Sequence, residues 1–144
     1  MLGFPHHYAV GTRVVGPAGA VTLTSAGIPE LATAPPKEFD GPGDHWSPET
    51  LLVGAVCDCF VLGFKAVAAA SHLEWTDLTV NTVGTLDRID RKTRFTHIAI
   101  TAELVVPKGH ETRAPRILEK AEEVCLITNS LSAEVHLDSK VVVA

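Results

Sequence analysis

The order of apolar and polar positions predicts strands, one long helix, further strands, a shorter helix and a closing strand. Residues 95–106 place apolar side chains at every second position from Ile98 onward, which is typical of a strand buried on one face. Residues 112–124 repeat apolar side chains at helical spacing, and residues 78–86 and 133–143 are rich in strand-forming residues. This order predicts an α+β fold rather than alternating βαβ units.

The part of the chain before the long helix is predicted to form a hairpin and then a loop. Residues 8–15 and 20–24 are rich in strand-forming residues and flank a turn that runs Gly16-Pro17-Ala18-Gly19. Residues 27–45 are rich in proline and glycine. A stretch of this kind inside a small protein is typical of a long ordered loop.

The long helix is predicted to run from Pro48 to about Ser71. Ser47 is a good N-cap, Pro48 fits the first helical position, and Glu49 favours the positive end of the helix dipole. The helix is apolar on nearly all sides, so we expect it in the middle of the molecule or of an oligomer.

Composition and length limit the possible functions. The 144 residues fit one domain over residues 1–144, and the net charge of -5 disfavours a nucleic-acid partner. Asp58 and Lys65 interrupt the most apolar stretch, which favours a buried helix over a membrane span. The first eight residues lack the basic start and apolar stretch of a secretory signal, so we expect a cytoplasmic protein.

The three cysteines are too few for a disulfide scaffold, so they are buried apolar residues, metal ligands or reactive thiols. Cys57 and Cys59 diverge by about 200° on the predicted helix, so they cannot share a metal or a disulfide. The histidines show no zinc-site spacing, which predicts no structural metal. A reactive thiol needs a nearby cation, hydrogen-bond donors or a helix N-terminus, and the local pattern alone leaves packing and reactivity both open.

Two segments resemble the OsmC/Ohr family. The first runs Ser47-Pro48-Glu49-Thr50-Leu51-Leu52-Val53-Gly54-Ala55 and is followed by Cys59-Phe60, which is similar to the family's N/S-P-E-x-L motif before a Cys-Phe pair. The second runs Ala121-Glu122-Glu123-Val124-Cys125-Leu126-Ile127-Thr128-Asn129-Ser130-Leu131 and is similar to the family's second cysteine segment. The order of predicted elements agrees over residues 8–143.

The resemblance implies antiparallel sheets packed around two central helices in an intertwined homodimer. It also implies a thiol-dependent peroxidase without a cofactor, in which Cys59 attacks an organic hydroperoxide and becomes a sulfenic acid. Cys125 then captures that sulfenic acid as a disulfide, and a dithiol partner reduces it. Cys57 matches no family cysteine and is predicted to be a packing residue.

The resemblance further implies that Glu49 orients an arginine that activates the thiol. From the residues alone, Glu49 is better explained as a carboxylate that stabilises the start of the helix. The positions where the family commonly carries the arginine offer none here, which leaves Arg13 and Lys37 as candidates. Arg13 is placed on a predicted strand, where a solvated side chain is an equal explanation.

Two functions from different classes therefore follow from the sequence. The first is the peroxidase, with Phe60, Leu62 and Phe64 expected to form an apolar pocket around Cys59 that suits organic substrates. The second is an OsmC-fold protein with altered catalysis that binds a small apolar ligand at the dimer crevice. Close approach of Cys59 and Cys125, together with a cation near Cys59, would favour the enzyme.

Overall fold

The computed structural model describes residues 1–144, and its contacts divide the chain into two units, Met1–Leu51 and Leu52–Ala144. The expectation of one domain over residues 1–144 stays a prediction. The first unit holds two short strands, β1 (Val21–Leu23) and β2 (Leu31–Thr33), which pair in antiparallel fashion. The second unit holds most of the regular structure.

The predicted hairpin at the start of the chain is only partly present. Its second arm overlaps β1, but the first arm contributes a single bridge, between Gly11 and Thr24. The strand that pairs with β1 is instead β2, which lies inside the region predicted to be a loop. A run of strand-forming residues becomes a strand only where a neighbouring backbone completes its hydrogen-bond ladder, and residues 8–15 have one bridge only.

The long helix, α1 (Pro48–Ala70), begins where the sequence predicts. The Ser47 hydroxyl accepts a hydrogen bond from the Thr50 backbone N–H at 3.1 Å, and the Thr50 hydroxyl accepts one from the Ser47 N–H at 2.8 Å. This reciprocal arrangement is a capping box with threonine in the place of the usual glutamate. Ser47 is therefore the N-cap, as predicted.

The end of α1 is fixed by backbone and side-chain contacts. His72 has a positive φ of 51°, and the Leu73 N–H donates to the Ala68 carbonyl at 2.9 Å. Arg113 donates to the carbonyls of Ser71 and His72 at 3.0 and 3.2 Å. The helix thus ends in a left-handed residue with its last carbonyls satisfied.

The main sheet has three strands in the order β3 (Asp77–Ile89), β4 (Lys92–Val106) and β5 (Glu134–Val143). β3 and β4 form an antiparallel hairpin around Asp90 and Arg91, both of which have positive φ. The predicted polar connection over residues 87–92 is therefore mostly strand, because a two-residue turn of this type fits the twist of long hairpin strands.

The pairing of β4 and β5 corrects the expectation of antiparallel sheets, because these two strands are parallel and the sheet is mixed. The chain between them passes through α2 (Ala114–Glu123), which returns it to the end of the sheet where β4 begins. Such a crossover makes the next strand parallel. The fold is α+β, as predicted, and it contains one β-α-β unit.

The core of the second unit lies between α1, β4 and α2. Its members have exposures of 6% or less, and the edge of Phe64 packs against Trp75 with ring centroids 5.3 Å apart. The main members are Val56, Phe60, Phe64, Ala68, Ile98, Ile100, Ala102, Leu104, Val106, Ala114, Ile117, Leu118 and Ala121. Four of them lie on one face of α1, so the rest of that apolar helix is only partly covered.

By length and composition α1 could also cross a membrane, since its most apolar window has a mean hydropathy of 2.0. Core helices of water-soluble proteins have the same properties, and 22% of this window is buried within the chain. Its membership of the α1–β4–α2 core agrees with the predicted buried helix.

Candidate active site

Cys59 and Cys125 come together from different elements. Cys59 lies in the middle of α1 and is partly buried, whereas Cys125 follows the end of α2 and is 1% exposed. The two thiols lie close enough that each shifts the pKa of the other. One turn further along α1, Gly63 packs against the Ala121 carbonyl, which lies one turn before Cys125. The two helix segments therefore run past each other in opposite directions with the thiols facing.

The turn after Cys125 directs backbone amides at the two sulfurs. The Asn129 N–H closes back onto the Cys125 carbonyl at 3.1 Å, which forms one helical turn. The intervening N–H groups of Leu126, Ile127 and Thr128 make no backbone hydrogen bond, as is usual for the first amides of such a turn. The amides of Leu126 and Ile127 act to lower the pKa of Cys59, and those of Ile127 and Thr128 act to lower the pKa of Cys125.

The environment of the pair shifts its two thiols in opposite directions. Burial raises the pKa of Cys59, and its role as donor to Cys125 adds to the shift, so the Cys59 pKa lies above its ordinary value. Burial acts the same way on Cys125, but hydrogen bonds from the Thr128 hydroxyl and amide, from the Cys59 thiol and from the Ile127 amide outweigh it. The Cys125 pKa is therefore lowered, and the first proton to leave this pair leaves Cys125.

The largest influences on the pKa of Cys59 do not include a cation. They are burial, the amides of Ile127 and Leu126, and the Cys125 thiol, and none of them is a lysine or arginine. Neutral amide donors thus surround the pair in this unit. Sequence reasoning missed these donors, because a backbone amide leaves no mark in the residue pattern beyond the short turn over residues 126–130.

Glu49 lies in the first turn of α1, as predicted. One of its carboxylate oxygens, Oε2, is buried and has no hydrogen-bond partner. A carboxylate can stabilise the start of a helix while it stays hydrated at the surface. Burial of a carboxylate oxygen without a hydrogen-bond donor, in contrast, costs free energy. Glu49 is therefore placed to receive a donor.

The two candidate cations lie in the first unit. Arg13 is exposed and lies outside any strand, which corrects the strand position expected for it. The cause is again the single bridge at Gly11, which is too little to extend a strand to Arg13. Lys37 begins a short 3-10 helix, and its side chain lies against Gly43 in the loop. The role of either side chain as the activating cation stays a prediction.

Two other expectations about side chains near Cys59 have different outcomes. Cys57 is partly buried on a continuous helix, so its side chain diverges from Cys59 as predicted. Phe60 and Phe64 are fully buried in the core and Leu62 is 55% exposed, so these three do not form the expected apolar pocket. No group of three or more His, Cys, Asp or Glu side chains is placed to hold a metal ion.

Relatives by sequence include an uncharacterized protein of Bacillus subtilis, YmaD, and a peroxiredoxin of Escherichia coli, OsmC. YmaD is 28% identical over 138 residues, which cover 92% of this chain and 91% of YmaD. The E. coli protein is 27% identical over 92 residues, which cover 64% of each chain.

Solved structures share the fold. An OsmC-like protein of unknown function from Vibrio cholerae superimposes with a TM-score of 0.83 at 19% identity, over 96% of this chain and 100% of that one. An organic hydroperoxide resistance protein, OsmC, from Legionella pneumophila has a TM-score of 0.73 at 24% identity, over 98% and 100%. These likenesses confirm the OsmC-like α+β fold.

The family model for OsmC-like proteins matches residues 41–140. That span contains α1 with Cys59, α2 and the turn that presents Cys125. The chain therefore belongs to the OsmC-like protein family.

Proposed function

We propose that this chain is a cysteine-based peroxidase that reduces organic hydroperoxides, with Cys59 as the attacking thiol and Cys125 as the resolving thiol. The observation that carries the proposal is that the Cys59 and Cys125 thiols lie close enough to shift each other's pKa, where Gly63 of α1 packs against the Ala121 carbonyl. Two neighbouring thiols that come within bonding distance can form a disulfide, which is the chemistry of a two-cysteine peroxidase.

Cys59 is the better attacking thiol because it is the more accessible of the two. Cys125 is 1% exposed and Cys59 is only partly buried, so a hydroperoxide reaches the Cys59 sulfur first. The Cys59 thiolate attacks the distal peroxide oxygen and the O–O bond breaks, which leaves a sulfenic acid on Cys59 and an alkoxide. A proton from solvent or a neighbouring group converts the alkoxide into the alcohol.

The lowered pKa of Cys125 suits the second step. As a thiolate, Cys125 attacks the sulfenic sulfur of Cys59, the S–O bond breaks, and hydroxide leaves to become water. The product is a Cys59–Cys125 disulfide. A dithiol reductant then exchanges with this disulfide, becomes a disulfide itself and returns both thiols to the reduced state.

The first step needs Cys59 as a thiolate, although burial raises its pKa in this unit. We propose that Glu49 holds an arginine that supplies the missing positive charge, because its buried Oε2 lacks a partner. Arg13 is the first candidate, since a guanidinium can donate to a carboxylate and a thiolate at once, and Lys37 is the second. Glu49 and Cys59 lie ten residues apart on α1, about 15 Å along the axis, so the Glu49 and the Cys59 of one site come from different copies of the proposed dimer.

We also propose that the protein works as a cytoplasmic homodimer. The support is α1, whose apolar surface is covered by the chain on one face only. An apolar helix face that stays uncovered in one copy is commonly buried between two copies.

Names of family relatives support the substrate class: the E. coli relative is named a peroxiredoxin, and the Legionella structure is of an organic hydroperoxide resistance protein.

One observation favours the alternative of a ligand-binding protein with altered catalysis. The groups of the second unit that act on Cys59 include no cation, so without a cation from elsewhere its thiol stays protonated at neutral pH. The two functions differ in whether a hydroperoxide consumes the thiols.

The test is thiol titration before and after one equivalent of cumene hydroperoxide, an organic probe. We expect the reduced parent protein to lose two thiols and to gain a Cys59–Cys125 disulfide that peptide mass mapping identifies. Cys59→Ser should lose none, and Cys125→Ser should stop at a sulfenic acid on Cys59 that a dimedone probe traps. Cys57→Ser is the matched control and should behave as the parent. Equal peroxide consumption by Cys59→Ser and the parent would rule out the proposed enzyme.

A further inference from the structure

The turn end of the β3–β4 hairpin projects beyond the core of its unit. On β3 the side chains up to Leu86 alternate between exposed and partly buried, whereas every residue from Asp87 to Arg94 is exposed. Both faces of residues 87–94, the hairpin tip, are therefore in water. At about 3.3 Å per residue along a strand, the tip extends roughly 10 Å past the last covered pair, Leu86 and Phe95.

Positive charge is concentrated on the hairpin tip. It holds four of the chain's twelve Lys and Arg residues but only two of its seventeen Asp and Glu residues. No ion pair of the protein includes a residue of the tip. The tip is thus a basic site on a chain that is otherwise acidic. Its cations are Arg88, Arg91, Lys92 and Arg94.

The two acidic residues of the tip leave these cations unpaired. Asp87 is the register partner of Arg94, but its carboxylate accepts the Arg88 backbone N–H at 2.7 Å and makes no ion pair with the guanidinium. Asp90 is the first residue of the two-residue turn and also lies in no ion pair. The tip therefore keeps its positive charge available to a partner.

Arg91 occupies the second position of the turn at a steric cost. Its φ is 66°, in the left-handed region, where a Cβ is crowded and where a turn of this type prefers glycine. Residues held in such conformations are concentrated at functional sites. An arginine at a position that suits glycine points to a role for its side chain at the outermost point of the hairpin.

A large apolar side chain lies among the cations. Ile89 is 40% exposed and is the register partner of Lys92. Lysine and arginine side chains are attracted to the phosphates of anionic lipids, and an apolar side chain beside them can enter the headgroup layer. The hairpin tip carries both kinds of group within a short stretch of chain.

We infer that the hairpin tip docks the protein reversibly on an anionic phospholipid surface. A flat bilayer can contact a projecting tip while the acidic remainder of the chain stays in solution. A long nucleic acid would instead run along that acidic surface, which repels it. The cytoplasmic leaflet of a membrane is anionic, so the inference agrees with the proposed location. It goes beyond the proposed peroxidase and does not depend on it.

The test is co-sedimentation of the purified protein with lipid vesicles. We expect the parent to bind vesicles of equal parts phosphatidylglycerol and phosphatidylcholine, to be released by added salt, and not to bind phosphatidylcholine alone. R88A/R91A/R94A should raise the dissociation constant roughly tenfold or more, because each lost cation removes part of the attraction to the acidic surface.

Three further variants separate charge, folding and apolar contact. K108A/R116A/K120A removes the same charge from exposed positions elsewhere and should bind like the parent. R91G removes one cation and relieves the turn, so it should bind more weakly without a lower melting temperature. This variant decides if the triple variant fails to fold. I89A keeps every charge and should also bind more weakly, because less apolar surface enters the headgroup layer.

Two outcomes would overturn the inference. If R88A/R91A/R94A and R91G bind the anionic vesicles as tightly as the parent, the hairpin tip is not the docking surface. If the parent binds soluble polyglutamate as tightly as the vesicles and I89A changes neither, the tip recognises acidic protein rather than lipid. A failure of the thiol titration described above would remove the peroxidase and leave these measurements unaffected.

Discussion

At the scale of single residues, the main finding is that two thiols of the same kind acquire different acidities. The groups around Cys125 lower its pKa more than burial raises it, whereas burial and the neighbouring Cys125 raise the pKa of Cys59. The asymmetry comes from the turn that follows Cys125. The amides of that turn and Thr128, whose hydroxyl donates to the Cys125 carbonyl at 3.3 Å, lie next to Cys125.

This asymmetry predicts the pH dependence of the reduced protein. In a Cys57→Ser background, ultraviolet thiolate absorbance should rise in a first step at a pH below the ordinary thiol pKa of 9.0, and this step belongs to Cys125. Thr128→Val keeps the size of the side chain and removes its hydroxyl donor, so the first step should move to higher pH.

Thr79→Val makes the same change on the exposed side of β3 and should not alter the titration. If Thr128→Val titrates like the parent, the hydroxyl has no part in stabilising the Cys125 thiolate. Cys125→Ser should remove the first step altogether.

At the scale of elements, the end of α1 and the start of α2 are tied together by Arg113. This side chain satisfies two carbonyls at the end of α1 while it stands just before the first residue of α2. The two helices are those that present Cys59 and Cys125. The tie therefore stabilises the second unit and the relative position of the two thiols.

We expect Arg113→Ala to lower the free energy of unfolding by about 1–3 kcal/mol, because two helix-terminal carbonyls lose a charged donor. Urea denaturation of the reduced protein measures this. Arg116→Ala is the control, since Arg116 lies on α2 in exposed ion pairs with Glu119 and Glu123, which water and salt screen, so the loss should be the smaller one. Equal losses for the two variants would show that the tie contributes nothing specific.

For the molecule as a whole, the proposed chemistry depends on the source of the positive charge that stabilises the Cys59 thiolate. The second unit provides amides and no cation, while Glu49 carries a buried oxygen that lacks a donor. In the proposed function, a cation held by the Glu49 of a second copy activates Cys59, because Glu49 and Cys59 of one chain lie about 15 Å apart along α1. This is the reason that assembly and activity are linked in the proposed function.

The cation is tested by the rate of Cys59 alkylation as a function of pH, with peptide mapping to separate Cys59 from Cys125. We expect Arg13→Ala to raise the apparent pKa of Cys59, because the thiolate loses its stabilising charge, and Glu49→Gln to act in the same direction. Lys37→Ala should have the smaller effect. Arg94→Ala removes an exposed arginine from β4 and is the control.

An unchanged alkylation profile in Arg13→Ala and Lys37→Ala would eliminate both assignments. If Arg13→Ala raises the apparent pKa of Cys59 and Glu49→Gln leaves it unchanged, the Glu49 carboxylate stabilises the start of α1 and has no part in the site.

Features of the fold that depend on local physics could be predicted from the residues alone. The N-cap at Ser47, the length of α1, the apolar alternation of β4 and the stripe of α2 follow from capping chemistry and periodicity, and all four are present. The two cysteine segments also identified the family, because two motifs at a fixed separation are far more specific than either one.

Features that depend on which segments meet could not be predicted from the sequence and were revealed by the fold. β2, the parallel pairing of β4 with β5 and the failure of residues 8–15 to form a strand depend on which backbone lies alongside, and a residue pattern does not record its neighbour. The same holds for the site: burial of Phe60 and Phe64 away from Cys59, and the amides of residues 126–128 aimed at the two sulfurs, follow from the packing of the turn after α2 against α1. Thiol acidity is set by such contacts across space, because the energy of an ionised sulfur depends on its donors rather than on its position in the chain.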